Sequence, residues 1–233
     1  MHIFYIPQID GNSIVLPEDE SKHCVRVLRL NTGDTINIVN GKGNMLTCSI
    51  TDPHPKRCTV EVIETQHKFG KRTFRLHIAI APTKNIERFE WFLEKATEIG
   101  IDEITPILCK HSERKTIKHE RLERVIVAAM KQSIKAYKPT LNALTPLKNA
   151  IQQDPHSTRL MAYCGDFNEP HAKSLINQND NIFILIGPEG DFSPNEVEMA
   201  LKAGFNTTGL GSSRLRTETA GVVACTIANL INQ

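Results

Sequence analysis

Two glycine-rich stretches in the second half of the chain carry the residues best suited to chemistry. The first, ILIGPEGDFSPNE at 184–196, runs from an apolar strand pattern through a glycine–proline break into a helix start. The second, GLGSSRLRTETAGV at 209–222, follows the same order and adds Arg214 and Arg216. Ligands of open α/β sheets bind at the carboxyl ends of the strands, so both stretches are candidate binding loops.

The first loop lacks the features of a phosphate site. Ser193, Pro194 and Glu196 predict a capped helix start that satisfies its own backbone amides. Glu189 and Asp191 would repel an anion, and the chain has neither the dinucleotide-binding nor the P-loop glycine pattern. An ordinary tight turn is the structural alternative. A cationic ligand approached by backbone atoms would tolerate Glu189, and S-adenosylmethionine, with its sulfonium and ribose, fits that description.

Arg216 is the most unusual residue of the second loop. It stands just before Thr217, the predicted cap of the last helix, where the helix dipole disfavours a cation. A cation kept there suggests a functional role, whereas a salt bridge with Glu218 is the structural alternative.

The elements around these loops divide the chain into two predicted domains. Residues 1–68 contain strand patterns at 2–6, 34–41, 45–51 and 58–64, a helical segment at 18–30 and a hairpin signal, NGKG. They predict a small β-barrel of the OB or PUA type. Residues 69–233 alternate strands with helices, which predicts a mostly parallel sheet with helices on both faces. Strands are predicted there at 75–81, 104–109, 159–164, 182–187 and 207–211, and helices at about 86–99, 119–137, 169–177, 194–203 and 217–232.

Composition argues against several classes of protein. A hydrophobic content of 40% supports a packed core, and no apolar run approaches the ~18 residues of a membrane span. The six cysteines lie ten or more residues apart, which favours reduced thiols in a cytoplasmic protein over a zinc site. The nine histidines avoid both glycine-rich loops and are expected at the surface. We therefore expect no metal and no membrane association.

Charge is distributed unevenly, although the net charge is only +2. Residues 110–138 hold nine Lys or Arg against three Glu, whereas 154–198 hold two against eight acidic residues. The predicted helix at 119–137 places its cations opposite an apolar stripe, which suits phosphate contacts. A merely solvated charged face is the alternative.

The two loops together closely resemble one family. LIGPEGDFSPNE and LGSSRLRTETA, in this order, are similar to the motifs of the RsmE-type ribosomal RNA uridine N3-methyltransferases of the SPOUT superfamily. HCVRVLRLNTGD, EKATEIGIDEITPI and AAMKQSIKAYKP match as well, so the resemblance spans nearly the whole chain. It implies an α/β domain at 69–233 with a C-terminal trefoil knot, an RNA-binding PUA-like barrel at 1–68, and a homodimer. The implied reaction moves a methyl group from S-adenosylmethionine to N3 of a uridine in the 16S ribosomal RNA of the small ribosomal subunit.

The resemblance also assigns roles to residues. Arg216 and Glu218 are expected to be catalytic. The expected cofactor-binding residues are Ala162, Tyr163 and Cys164 after one strand, Ile186, Gly187, Glu189 and Gly190 after the next, and Leu210, Gly211 and Leu215 after the third. The expected RNA-binding residues are Arg26, Arg29, Lys84, Arg121, Arg124, Lys131, Gln132, Lys135 and Lys138.

Four positions depart from the family pattern. Lys131 and Lys135 stand where Glu and Arg are commoner. Asp191 stands where a second glycine usually follows GPEG, and His111 stands where an arginine often follows the ITPIL strand. Two other functions stay open on the residues alone. A non-catalytic RNA-binding protein would not take up S-adenosylmethionine, and an α/β enzyme for a phosphorylated nucleotide or sugar would be stabilised by nucleotides instead.

Overall fold

The computed structural model describes residues 2–165 and 169–233, which form two compact units. The first contains the residues up to Lys71 together with Met130–Lys138, and the second contains Arg72–Ala129 and Pro139–Gln233. These units differ from the predicted ranges, 1–68 and 69–233, chiefly in residues 130–138. These residues include the end of a helix that begins in the second unit, yet they belong to the first unit.

The first unit is built on a five-stranded sheet with the order β1-β3-β4-β5-β2. Its strands are β1 Ile3–Tyr5, β2 Ser13–Val15, β3 Thr35–Val39, β4 Met45–Asp52 and β5 Thr59–Gln66. Only β1 and β3 pair in parallel. The short helix α1, Glu18–Lys22, continues into a π-helical turn at His23–Val27. Phe4, Leu16 and Ile36 are buried in the core of this unit. The sequence did not predict β2, because three residues are too few to show a period.

The second unit alternates strands and helices as predicted. Its elements are β6 Leu76–Ile80, α2 Ile86–Ile99, β7 Glu103–Leu108, α3 His119–Gln132, β8 Thr140–Leu141, β9 Thr145–Pro146, α4 Leu147–Ala150, β10 Thr158–Ala162, α5 Ala172–Leu175, β11 Ile182–Ile186, α6 Pro194–Lys202, β12 Asn206–Thr208 and α7 Thr217–Ile231. The last three residues of α3 belong to the first unit. None of the helices in the described part of the chain is long and apolar enough to cross a membrane.

The sheet of the second unit has the order β12-β10-β11-β6-β7-β8, with β9 beside β7. Every pairing among these described strands is parallel, so the prediction of a mostly parallel α/β sheet is confirmed. Alternate residues of a strand face opposite sides: Ile78 and Ile184 pack with α2 and α7, whereas Ala79 and Phe183 pack with α4 and α6. All carboxyl ends therefore meet at one edge.

The prediction for the basic helix is wrong beyond Gln132. Ile134 has a φ of 57°, a left-handed conformation that a helix cannot contain, and the amide of Lys135 donates to the Met130 carbonyl at 3.1 Å. Lys135 and Lys138 therefore lie after the helix and do not extend its row of cations. The helix predicted at 169–177 is also shorter, and only Ala172–Leu175 is helical.

His77 contradicts the expectation that the histidines lie at the surface, because its side chain is completely buried on β6. Its Nε2 lies 2.7 Å from Thr105 Oγ1, and its ring stacks on Phe183 with centroids 4.3 Å apart. Its Nδ1 is hydrogen-bonded to Asp154, which also forms an ion pair with Arg75 at 2.8 Å. Burial alone would raise the pKa of Asp154, but the hydrogen bonds from His77 and Arg75 outweigh it and lower the pKa.

We predict that Asp154→Asn destabilises the protein by about 2 kcal/mol near neutral pH, because the buried His77 and the partly exposed Arg75 lose a charged acceptor. The stability that Asp154 contributes is complete above its unfolded pKa, 3.8, and is lost as the pH falls through its lower folded pKa. The difference between wild type and variant should therefore stay constant from pH 7 to about pH 4 and shrink between about pH 4 and pH 2 in urea unfolding. Glu198→Gln, which removes an exposed ion pair with Lys202, is the control and should change little. A constant difference across this range would contradict the assignment.

Candidate functional site

The loops after β10, β11 and β12 enclose a cavity of about 510 Å³ in the second unit. Its lining residues are Ala162, Tyr163, Cys164, Glu169, His171, Ile186, Gly187, Pro188, Glu189, Asp191, Ala220 and the continuous segment from Thr208 to Thr217. Both glycine-rich stretches of the sequence thus contribute to one site.

Strand register explains why these loops meet. Ala162 at the end of β10 pairs with Ile186 of β11 on one side and with Thr208 of β12 on the other. The three strands therefore end at the same level, and their parallel direction sends all three loops to the same side. The paired strand ends, Ala162, Ile186 and Thr208, form the floor of the cavity.

GPEG is a tight turn and also part of the cavity wall. The amide of Asp191 donates to the Pro188 carbonyl at 2.9 Å, which closes the turn. The Glu189 carboxylate accepts a hydrogen bond from the amide of Lys84 at 2.9 Å. A glutamate between two glycines therefore links the turn to the loop that follows β6.

The start of α6 is capped as the sequence predicts. Ser193 and Glu196 form a reciprocal capping box. The second carboxylate oxygen of Glu196 accepts from the amide of Lys110 at 2.7 Å, so this carboxylate also holds the loop that follows β7. The amides of Ser193, Glu196 and Val197 at this helix start already have partners, which disfavours an anion site there.

Asp191 joins two of the three loops. Its carboxylate accepts from the amide of Phe192 at 2.8 Å and from the amide of Cys164, in the loop after β10, at 3.3 Å. Burial raises the pKa of the Cys164 thiol, and the Asp191 carboxylate raises it further against the effect of Arg214. Cys164 is therefore protonated near neutral pH.

The second loop is tied to the first through α7. This helix begins at Thr217, as predicted, but its extended N-cap residue is Arg216, one residue before the predicted cap. The Thr217 hydroxyl donates to the carbonyl of Gly187 at 3.0 Å. A Cβ on Gly187 would lie only 3.1 Å from the Phe192 ring, so the glycine allows close packing beneath this contact.

Arg216 and Glu218 do not form the salt bridge that was the structural alternative. Arg216 is exposed in the cavity wall, and it makes no ion pair within the described residues. Glu218 is buried, with one oxygen 3.9 Å from Arg88 Nε and the other without a hydrogen-bond partner in the described structure. Glu218 faces α2 and is absent from the described cavity lining. Both catalytic roles stay predictions.

Nine of the ten predicted cofactor-binding residues line the cavity, and Gly190 does not. Their binding roles also stay predictions. Glu169, His171, Thr208, Gly209 and Arg214 also line the cavity, although the sequence patterns do not assign them to the site. Glu169 and His171 were interpreted as part of a helix, and Arg214 could have been assigned from its place beside Arg216 in the same loop.

The predicted RNA-binding residues are divided between the two units. In the second unit, Arg121 makes a bidentate ion pair with Glu90 at 2.5 and 2.8 Å. Arg124 is exposed. Lys84 Nζ lies 3.6 Å from a carboxylate oxygen of Glu113. In the first unit, Lys131 pairs with Glu20 at 2.7 Å. Arg26, Arg29 and Gln132 are exposed, and Lys135 and Lys138 are half-buried with interactions of their own. Their role in RNA binding stays a prediction.

The described residues contain no cluster of three or more His, Cys, Asp or Glu that could hold a metal ion.

Comparison with known proteins finds relatives for both units of the chain. The family model of an RNA methyltransferase domain matches residues 71–229, and that of an RNA methyltransferase PUA domain matches residues 16–63. The ribosomal RNA small subunit methyltransferase E of Rickettsia conorii is 27% identical over 95% of this chain and 91% of its own length.

Solved structures show the same fold over the whole chain. A probable rRNA-methyltransferase from Porphyromonas gingivalis is 43% identical, with a TM-score of 0.94 and coverage of 100% of this chain and 98% of its own. A ribosomal RNA small subunit methyltransferase E from Neisseria gonorrhoeae, solved with S-adenosyl methionine, is 23% identical, with a TM-score of 0.85 and coverage of 100% and 98%. The expected PUA domain and α/β domain are thus confirmed, and the chain belongs to the RNA methyltransferase family, among the RsmE-type members that its two loop motifs resemble.

Proposed function

We propose that the protein transfers the methyl group of S-adenosylmethionine to N3 of a uridine in the 16S ribosomal RNA of the small ribosomal subunit, in the cytoplasm. The observation that carries this proposal is the cavity formed by three strand-end loops in a chain of the RNA methyltransferase family. The names of the relatives support ribosomal RNA of the small subunit as the substrate.

The cavity fits S-adenosylmethionine in size and chemistry. Its volume of about 510 Å³ lies within the range of roughly 300–1,000 Å³ that small-molecule sites occupy. Ala162, Ile186 and Leu210 offer an apolar surface for a flat base, while the carboxylates of Glu169 and Asp191 suit ribose hydroxyls and a cation. A phosphorylated nucleotide fits less well, because the start of α6 is already capped.

Methyl transfer to N3 requires that this nitrogen lose its proton. S-adenosylmethionine supplies an activated methyl group on a sulfonium when it is bound. The negative charge of the deprotonated uracil spreads onto its two flanking carbonyl oxygens, and the Arg216 guanidinium can donate to one of them from the cavity wall. Glu218 remains a predicted catalytic residue. N3 lies on the Watson–Crick edge, so the uridine must be unpaired or flipped out.

We also propose that residues 69–233 contain a trefoil knot. The edge strand β12 leads through the second loop into α7, which packs against α2 and β6 on the far side of β10 and β11. The hydrogen bond from Thr217 to Gly187 lies where this crossing meets the first loop. A crystal structure in which the backbone is unknotted, so that pulling both ends would straighten it, would contradict this proposal.

A homodimer completes the proposal. Glu218 is the one charged side chain between Thr217 and Gln233, and α7 leaves Val222, Val223 and Ile227 half-exposed and Leu230 exposed. An apolar helix face of this kind suits burial against a second copy. A monomer in sedimentation equilibrium at micromolar concentration would contradict this assignment.

We predict that the purified protein, given small ribosomal subunits and S-adenosylmethionine, produces 3-methyluridine. Nucleosides from digested 16S ribosomal RNA would be identified by mass spectrometry against 3-methyluridine and 5-methyluridine standards. Reactions without protein or without methyl donor are the controls. Methylation at carbon 5, or RNA binding without any methyl transfer, would contradict the proposal.

We predict that Arg216→Ala slows single-turnover methyl transfer by about 10²–10³-fold, because a donor aimed at developing oxyanion charge is lost. Cofactor affinity and melting temperature should stay near wild type. Arg57→Ala, which removes another exposed arginine outside the described cavity lining, is the control and should leave both transfer and stability near wild type. Near-normal transfer by Arg216→Ala would exclude the catalytic role.

We predict that residues 1–68 bind RNA through Arg26 and Arg29. The double change to Gln should weaken RNA binding and flatten its salt dependence, because fewer phosphates are neutralised. Changing Lys56 and Arg57 to Gln removes the same charge from another exposed loop of this unit and is the control. Equal salt slopes for the two double variants would show that Arg26 and Arg29 contribute only net charge.

A further inference from the structure

His111 touches the first cavity loop from the loop after β7. Its Nδ1 lies 3.1 Å from the carbonyl oxygen of Gly190 and 3.0 Å from that of Asp191. Both partners are acceptors, so the ring must carry a proton on Nδ1 and donate it. Positions 111 and 191, at which this chain departs from the RsmE-type pattern, are therefore in direct contact.

Gly190 makes this contact sterically feasible. A Cβ built on Gly190 would lie 3.0 Å from Cβ of His111, which is closer than side chains normally approach. The glycine thus makes room for the histidine, which gives Gly190 a packing role outside the described cavity lining.

Asp191 depends on its neighbours to keep its conformation. Its φ of 59° is left-handed, a conformation that is unfavourable for a residue with a side chain. Its amide, both carboxylate oxygens and its carbonyl oxygen all have hydrogen-bond partners. The bond from His111 fixes the peptide group that follows Cα of Asp191, and the bond to Cys164 places the carboxylate in the cavity wall.

The loop that carries His111 is itself well anchored. Ser112 Oγ accepts from the amide of Cys109 at 2.9 Å, and the amide of Lys110 donates to Glu196 at 2.7 Å. Arg114 Nε donates to the carbonyl of Thr83 at 3.0 Å. His111 therefore acts on the cavity loop from a frame joined to α6 and to the loop after β6.

We propose that His111 is a positioning residue, which holds Asp191 in its left-handed conformation and thereby keeps the Asp191 carboxylate in the wall of the methyl-donor cavity. The identity of the ligand rests on the proposed function, but the effect of His111 on the cavity wall does not. A preformed wall improves ligand binding because the loop has less freedom to lose.

Two substitutions separate the hydrogen bond from the bulk of the side chain. The amide nitrogen of His111→Asn can occupy the place of Nδ1 and still donate, whereas His111→Leu fills similar space without a donor. We expect His111→Leu to bind S-adenosylhomocysteine about tenfold more weakly in calorimetry, and His111→Asn to bind within about threefold of wild type. His156→Ala, which removes another exposed histidine, is the control.

Amide hydrogen exchange in the ligand-free protein gives a second readout that needs no cofactor. His111→Leu should accelerate exchange at Cys164 and Phe192, whose amides donate to Asp191, by about tenfold, and His111→Asn should restore both rates. If wild type does not bind S-adenosylhomocysteine, the cofactor assignment fails, and the exchange rates still decide the role of His111. Wild-type exchange rates in His111→Leu, or equal defects in the Leu and Asn variants, would overturn the proposal.

Discussion

The parallel pairing of β10 with both β11 and β12 is the constraint on which the site depends. Because Ala162 pairs with Ile186 and Thr208 at once, three chain segments leave the sheet at the same level and in the same direction. A cavity between their loops is then a consequence of register. A shift of β10 by one residue would exchange the side chains that face the two cores of the unit, such as Leu160 and Met161, and would also separate the loops that line the cavity.

Carboxylates act in this site as links between loops. Glu189 accepts an amide from the loop after β6, Asp191 from the loop after β10, and Glu196 from the loop after β7. Each bond pairs a charged acceptor with a backbone donor that would otherwise lack a partner, and such bonds are among the stronger ones in proteins. The same negative charge that argues against a phosphate ligand therefore stabilises the shape of the cavity.

The periodicity of apolar residues predicted most strands and helices. It did not predict most of the hydrogen bonds that join the loops around the cavity. The alternation of apolar strands with amphipathic helices indicated the parallel sheet, and Ser193 with Glu196 indicated the start of α6. No neighbouring residues in the sequence indicated that α3 ends at Gln132, because the end depends on the left-handed φ of Ile134. None indicated that His77 is buried, because its burial depends on a long-range contact with Asp154. Partners such as Lys84 with Glu189 or His111 with Asp191 lie about 80 or more positions apart, and only the fold brings them together.

The central claim, that three strand-end loops bind one methyl-donor ligand, is tested most directly by nuclear magnetic resonance. Isotope-labelled protein would be titrated with S-adenosylhomocysteine while the amide signals of Cys164, Gly187 and Gly211 are followed. We predict that the three signals shift together with a single dissociation constant and at one ligand per chain. Shifts that leave any one of these segments unchanged, or that saturate at different ligand concentrations, would contradict a shared cavity.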